Sequence, residues 1–359
     1  MEIPKIVRVD ARAVNVPLEY PVRTSVGIVD TAPLVLIDLH TNSGVVGRSY
    51  VFTYTPLALA ATREMVRSLG TVLEGRAAAP AELDRLFASR LRLLGRTGIV
   101  IMACAGLDMA LWDALAVHAG MPLVSFLGGA ARPVIAYDSH SMDGIEVGTA
   151  RAGKAAAAGY KAIKTKIGYA TLDEDLHVLK ALRRSVGPKV QIMVDYNQGL
   201  SVPEATWRIH VLEAEDVGWV EEPTVQEDLR GHAQIRSTSR LPIQMGENWC
   251  GPEEMQRALE AGACDLAMPD IMKIGGVTGW LKAAALAQVH NIPMSSHIFP
   301  EFSAHVLPLT PTAHFLERMD LAGPILGRKL DYVDGFAVTS DAPGAGIDWD
   351  ESAIARYAS

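Results

Sequence analysis

The sequence predicts an α/β protein: a modified (β/α)8 TIM barrel preceded by an N-terminal α+β capping domain. Three observations carry that expectation. From about residue 133 short apolar stretches alternate with helical ones, eight times over. Before that point the chain reads as antiparallel strands followed by helices. A polar residue with obvious chemistry also stands near the end of successive barrel strands: Lys166, Asp195, Glu221, Glu247, Asp270, His297 and Glu317. The gaps between them are 29, 26, 26, 23, 27 and 20 residues, each close to one β/α unit. The C-terminal rim of such a barrel is where catalytic groups collect.

The elements follow in chain order. Residues 5 to 16 alternate Val7, Val9, Ala11 and Ala13 against Arg8, Asp10 and Arg12, a period of two that reads as a strand with one wet face. "LVLIDLH" and "VVGRSYVF" form a hairpin around the turn residues "TNSG". Helical patterns near 57 to 73, 80 to 93 and 99 to 119 complete a capping domain over residues 1–125. The barrel, over 126–322, is built from "VIAYDSH", "AIKTKIG", "IMVDYNQ", "VGWVEEP", "IQMGENW", "CDLAMPD", "IPMSSHI" and "HFLERMD". Between two of these, "GPEEMQRALEAGA" opens with Pro252 and two glutamates and closes near Gly262, which are helix signals. Residues 323–359, with the turn-like "DYVDGF" and "APGAG", are expected to return to the capping domain.

Composition narrows the function. A chain of 359 residues, 49% hydrophobic and 21% charged, is long enough for one large core or two domains. Its net charge of −8 and the absence of a Lys/Arg-rich run argue against nucleic acid or membrane as a partner. The most apolar stretch, "GIVIMACAGLDMALWDALAVHAG", contains Asp108 and Asp113 at helical spacing, so a buried helix is expected there. "MEIPKIVRVDARAV" lacks the apolar core of a signal peptide, and the three cysteines form no CxxC pair. A reduced, cytoplasmic protein is the expectation.

Lys164 and Lys166 lie two apart in "AIKTKIG", so they share a strand face, opposite Ile163, Thr165 and Ile167. Either that face is wet or something compensates buried ammonium groups. Asp195, Glu221 and Glu247 fall on three consecutive strands, hence side by side around the rim. Each could pair with a nearby base, but three carboxylates in register call for a hard cation, and an open all-oxygen site suits Mg²⁺. At about 6 Å and an effective dielectric of 20, Lys164 would repel Lys166 by roughly 3 kcal/mol, holding it partly neutral as a general base. His297 lies almost across the barrel mouth, with Asp270 on the neighbouring strand suited to orient its imidazole and favour the protonated form. Glu317 is either a protonated hydrogen-bond donor to a developing oxyanion or a salt-bridge partner of Lys164. Asn197 shares a strand face with Asp195.

These motifs, "KTK" at 164–166, "VDYNQ" at 194–198, "EEP" at 221–223, "GEN" at 246–248, "PD" at 269–270, "SSH" at 295–297 and "LERMD" at 316–320, resemble those of the enolase superfamily, mandelate racemase group. The cap stretch "GLDMALWDALAVHAGMPLVSFLGG" agrees, and the resemblance runs through essentially the whole chain. It implies an enolase-type barrel and a reaction at the carbon next to a carboxylate. Mg²⁺ on Asp195, Glu221 and Glu247 would bind that carboxylate, and Lys164 with Glu317 would stabilise an enediolate. Lys166 would exchange the proton of the S substrate, and His297 with Asp270 that of the R substrate. It further implies a mobile lid in "YPVRTSVGIV", bringing Val22, Val26 and Val29, with Tyr54 on a second lid segment. An apolar lid suits an aromatic ring better than a polyhydroxy chain, although valines at such positions could simply be core. Ser139 is a candidate contact to the substrate carboxylate, and Asn197 to the substrate hydroxyl. Ile298 and Met319 stand where leucines are expected in the ring pocket and keep it apolar. A ring-symmetric homo-octamer is implied as well.

Two rivals remain in view. An acid-sugar dehydratase of the same superfamily would want polar lid residues, and the lid offers only Arg23, Thr24 and Ser25. A barrel that binds an acidic metabolite without turning it over would tolerate a missing base or ligand, and none is missing. A zinc hydrolase is disfavoured because HxxH and HExxH are absent, and "GGVTG" at 275–279 does not fit dinucleotide binding.

Overall fold

The structure is a computed structural model, and it describes residues 2–359. Three long antiparallel strands, β1 (Ile6–Thr24), β2 (Gly27–Thr41) and β3 (Val46–Phe52), open the chain in the order β1-β2-β3. The first hairpin runs well beyond the expected strand, because β1 and β2 keep pairing out to Thr24 and Gly27. A register irregularity between Ile6 and Arg8 breaks the expected alternation, and Val7 is half exposed rather than on a buried face. Helices α1 (Pro56–Leu73), α2 (Pro80–Arg90), α3 (Gly98–His118) and α4 (Leu123–Phe126) pack behind this sheet. Thr55 caps α1 by accepting from the Leu57 amide, and Pro56 supplies a first-turn residue with no N–H to satisfy.

α3 is long and apolar enough to cross a membrane by composition, yet it is buried nearly all round by protein. It lies between the cap sheet and the barrel. A Cβ on Gly47 of β3 would stand 2.0 Å from the Ala110 carbonyl of α3, so only glycine allows that close approach.

The barrel then alternates β4 (Val134–Ser139), α5 (Gly144–Ala157), β5 (Ala162–Lys166), α6 (Leu172–Val186), β6 (Gln191–Asp195), α7 (Val202–Leu212), β7 (Val217–Glu221) and α8 (Leu229–Thr238). It continues with β8 (Ile243–Met245), α9 (Pro252–Glu260), β9 (Leu266–Ala267), α10 (Gly276–His290), α11 (Pro300–Val306) and β10 (Leu316–Arg318). Neighbouring strands are parallel, and β10 closes the ring on β4. One of the eight expected strands is irregular: residues 294–297 join their neighbours only through isolated bridges. There the Ser295 and Ser296 hydroxyls accept from the Phe315 and Glu317 amides, both at 3.3 Å, standing in for ladder carbonyls.

The C-terminal segment divides, where the sequence suggested a simple return to the cap. "DYVDGF" is a hairpin, β11 (Asp331–Val333) and β12 (Phe336–Val338), and β12 pairs antiparallel with the start of β4. The rest does reach the capping domain: Trp349 donates to Asp38 at 2.8 Å, and α12 (Glu351–Tyr357) ends where Ala358 bridges Val14.

Candidate active site

Strand periodicity aims the functional residues inward. Ala162, Lys164 and Lys166 alternate with outward Ile163 and Thr165 along β5. The barrel interior below the rim is filled by Tyr137, Ala162, Met193, Trp219, Met268 and Phe315, with the Tyr137 and Trp219 rings edge to face at 5.5 Å. This layer supports the site directly. The Lys164 ammonium stands over the Tyr137 ring, 5.5 Å from its centroid, and the Trp219 indole donates to Glu221 at 3.2 Å.

Register places Lys166 beside Asp195 and Asp195 beside Glu221. Glu247 joins them from just past β8, beyond Gly246, whose φ of +138° only glycine adopts easily. Ligand oxygens of Asp195, Glu221 and Glu247 all lie within 4.8 Å of one another, and all three side chains are buried. Three buried carboxylate donors at this separation fit a hard divalent cation such as Mg²⁺. Burial, opposed by Lys164 and reinforced by Asp195 and Glu247, pushes the Glu221 carboxyl up to about 7.

The lysine pair faces the barrel interior, not water. Lys164 is 2.7 Å from Glu221 and 2.9 Å from Glu317, and Lys166 is 2.5 Å from Asp195. This corrects the expected charge state of Lys166. Burial lowers its pKa and Lys164 lowers it further, but Asp195, Glu247 and Glu221 together outweigh them and the net shift is upward. Glu317 is likewise not held protonated. Burial would raise it, yet Lys164 and His297 carry it well below the usual carboxylate range, so the salt bridge is the alternative realised.

His297 is held at both nitrogens. Nδ1 lies 2.7 Å from Asp270, Nε2 lies 3.2 Å from Glu247 and 3.9 Å from Glu317. Burial favours neutral imidazole, but Glu247 and the Asp270 hydrogen bond prevail and raise it to about 9. Asp270 is itself fixed, accepting from the Met272 amide at 2.7 Å.

A cavity of about 360 Å³ joins these groups to the capping domain. Lys166, Asn197, Glu247, His297 and Glu317 line its polar side, and Val22, Val26, Val29, Tyr54, Ile298 and Met319 its apolar side. Val26, at the tip of the β1–β2 hairpin, is also 68% exposed, so it stands at the edge of the cavity. Two placements differ from expectation. Asn197 is not on the strand face of Asp195 but in the turn beyond β6, at φ +44°, where its amide donates to Asp195 at 2.9 Å. Its Oδ1 is left buried without a partner. Ser139 lines a neighbouring cavity of about 500 Å³ instead, because it stands at the register of Lys164, below Lys166.

Sequence reasoning missed Phe52, Gln198, Asn248, Lys273 and Leu321, which also line the 360 Å³ cavity. Alternation along "SYVFTY" would have found Phe52, two residues before Tyr54. Lys273 carried no spacing signal. It is buried, 2.5 Å from Asn248, with its ammonium 4.2 Å from the centre of the Tyr54 ring.

Such a site can bind a carboxylate through a cation and bring two proton-transferring groups, Lys166 and His297, to one cavity. Comparison with known proteins is consistent with that chemistry. Residues 6–128 match the mandelate racemase / muconate lactonizing enzyme N-terminal domain, and residues 149–353 the enolase C-terminal domain-like family. A Bradyrhizobium enolase solved with magnesium and mandelic acid is similar at 48% identity and a TM-score of 0.96, covering 100% of this chain and 99% of that one. A second, from the alpha proteobacterium bal199 with bound magnesium, is 39% identical at a TM-score of 0.97, covering 99% and 100%. The 3,6-anhydro-alpha-L-galactonate cycloisomerase of Streptomyces coelicolor is 30% identical over 98% of each chain.

Proposed function

The chain belongs to the mandelate racemase / muconate lactonizing enzyme family of the enolase superfamily, a magnesium-dependent family, and we propose that it racemises a mandelate-like aromatic 2-hydroxy acid. The observation that carries this reading is that Lys166 and His297 line one cavity together with Glu247, the member of the carboxylate triad that reaches it, and with apolar residues of the capping domain. Two bases on different sides of a substrate are what inversion of a carbon centre requires.

Asp195, Glu221 and Glu247 would hold Mg²⁺, which would supply positive charge to the substrate carboxylate; with its charge so engaged, Asp195 would no longer hold the proton on Lys166. Lys166 then removes or returns the α proton of the S enantiomer, and His297 that of the R enantiomer. Asp270 holds the imidazole in place through Nδ1, leaving Nε2 toward the cavity. Lys164 donates to the enediolate oxygen as negative charge accumulates there, and Glu317 fixes that ammonium. The unpartnered Asn197 Oδ1 accepts from the substrate hydroxyl, which would satisfy a buried orphan acceptor. The aromatic ring rests against Val22, Val29, Ile298 and Met319.

The second reading is acid-sugar chemistry, a dehydration or cycloisomerisation. The cycloisomerase relative favours it, as do Lys273, Asn248 and Gln198, polar groups in the same cavity. The deciding experiment incubates the protein with Mg²⁺ and R- or S-mandelate in D₂O, following α-deuterium by NMR and rotation by polarimetry. Exchange from both enantiomers with loss of rotation is expected. Absence of exchange in a protein that binds Mg²⁺ would overturn the racemase reading and favour acid sugars, detected as 2-keto products.

A further inference from the structure

Tyr50 sits on β3 of the capping domain, fully buried and outside the cavity lining. Its hydroxyl donates to Glu301 Oε2 at 2.6 Å, and its ring stacks on Phe299, centroids 4.8 Å apart and 28° between planes. Both partners belong to the barrel segment that follows His297.

That segment is strained. Ile298 has φ +37° and Phe299 φ +48°, and a β-branched residue in the left-handed region is a true outlier. Such a corner persists only where its surroundings over-determine it. On the barrel side the Ile298 amide donates to Glu317 at 2.9 Å, and Ser303 donates to the Ile298 carbonyl at 3.0 Å. From the cap, Tyr50 grips the other two residues, Phe299 through its ring and Glu301 through its hydroxyl. The same strand also touches the segment after Asp270: the Phe52 amide lies 3.3 Å from the Met272 sulfur, and the Met272 amide donates to Asp270 at 2.7 Å.

We infer that Tyr50 is a positioning residue for His297, clamping the strained Ile298–Phe299 corner so that the imidazole stays against Asp270. The capping domain thereby sets the geometry of one proton-transferring group and leaves Lys166, on β5, untouched. The kinetic form of this inference rests on the racemase reading above; its geometric form does not.

The test uses Tyr50→Phe, which keeps the ring stack and loses the hydroxyl, and Glu301→Gln, which keeps an acceptor for Tyr50. In D₂O, Tyr50→Phe should lower racemisation about tenfold while S-mandelate still exchanges its α proton through Lys166. Glu301→Gln should stay within about twofold of wild type. Equal loss of exchange and racemisation in Tyr50→Phe would overturn the inference, because that is what a general weakening of the fold produces. A crystal structure of Tyr50→Phe decides independently of substrate: a displaced 298–299 corner with the His297–Asp270 contact lengthened supports the clamp, and an unchanged corner overturns it. Wild-type inactivity toward mandelate would then refute only the functional reading.

Discussion

The Ser25 hydroxyl donates to the Tyr196 carbonyl at 2.8 Å, so the tip of the β1–β2 hairpin is tied to the residue immediately after Asp195. A Cβ on Gly199 would stand 2.5 Å from that hydroxyl and 3.0 Å from the Tyr196 carbonyl oxygen, so a side chain there would displace the contact. Ser25→Ala removes one hydrogen bond worth about 1 kcal/mol and should raise KM about fivefold with kcat little changed. Gly199→Ala should raise KM further. Steady-state polarimetry checks both, and unchanged KM values would show that the latch contributes nothing to substrate retention.

Asp270→Asn should shift the pH profile in a definite direction. Burial lowers His297, while Glu247 and Asp270 raise it to about 9, so the proton-accepting imidazole grows in only as pH approaches that value. Removing the Asp270 charge moves this limb to lower pH. Losing the oriented Nδ1 contact should also lower racemisation by about a hundredfold or more. A kcat/KM profile for R-mandelate with this ascending limb in the wild-type position would contradict the assignment.

Magnesium should stabilise the fold, because a dication relieves repulsion among three buried carboxylates. At a hundredfold excess over Kd the gain is about 2.7 kcal/mol, visible as a higher Tm. Glu247→Gln should give a smaller shift at the same magnesium concentration. An equal shift in both proteins would place the cation elsewhere.

Asp108 gives a stability prediction away from the cavity. It accepts from the Thr278 amide at 2.9 Å at the start of α10, and burial, opposed by the Thr278 hydrogen bonds, raises it from 3.8 to about 7. The folded state therefore holds the proton more tightly than the unfolded one, and stability falls as pH rises from about 3.8 to about 7, then levels. Asp108→Asn keeps an acceptor and never ionises. Relative to wild type it should gain on the order of 1–3 kcal/mol between pH 4 and pH 8, read from denaturant melts. A pH-independent difference would refute this.

Val29→Asn should test the lid. Placing an amide against the ring should lower kcat/KM for mandelate about tenfold, and the second reading predicts a gain toward acid sugars instead. Rates on both substrate classes distinguish the two.

Much of the fold and site was legible in the chain because both follow from periodic rules. A period of two aimed Lys164 and Lys166 the same way, and one β/α unit per step put Asp195, Glu221 and Glu247 side by side on the rim. Those relations are local and repeat, so sequence alone determined the barrel, the triad and the dyad partners. Tertiary structure decided what remote elements bring to one point. The Lys166 pKa is raised and that of Glu317 lowered because each has an opposite charge within 3 Å, a sum over neighbours that no spacing encodes. Ser139 faces a different cavity because of its depth along β4, and Lys273 enters the site from a loop with no period to betray it. Tyr50 reaches the residues after His297 across 251 positions of sequence, a contact that exists only because the cap sheet packs on the barrel.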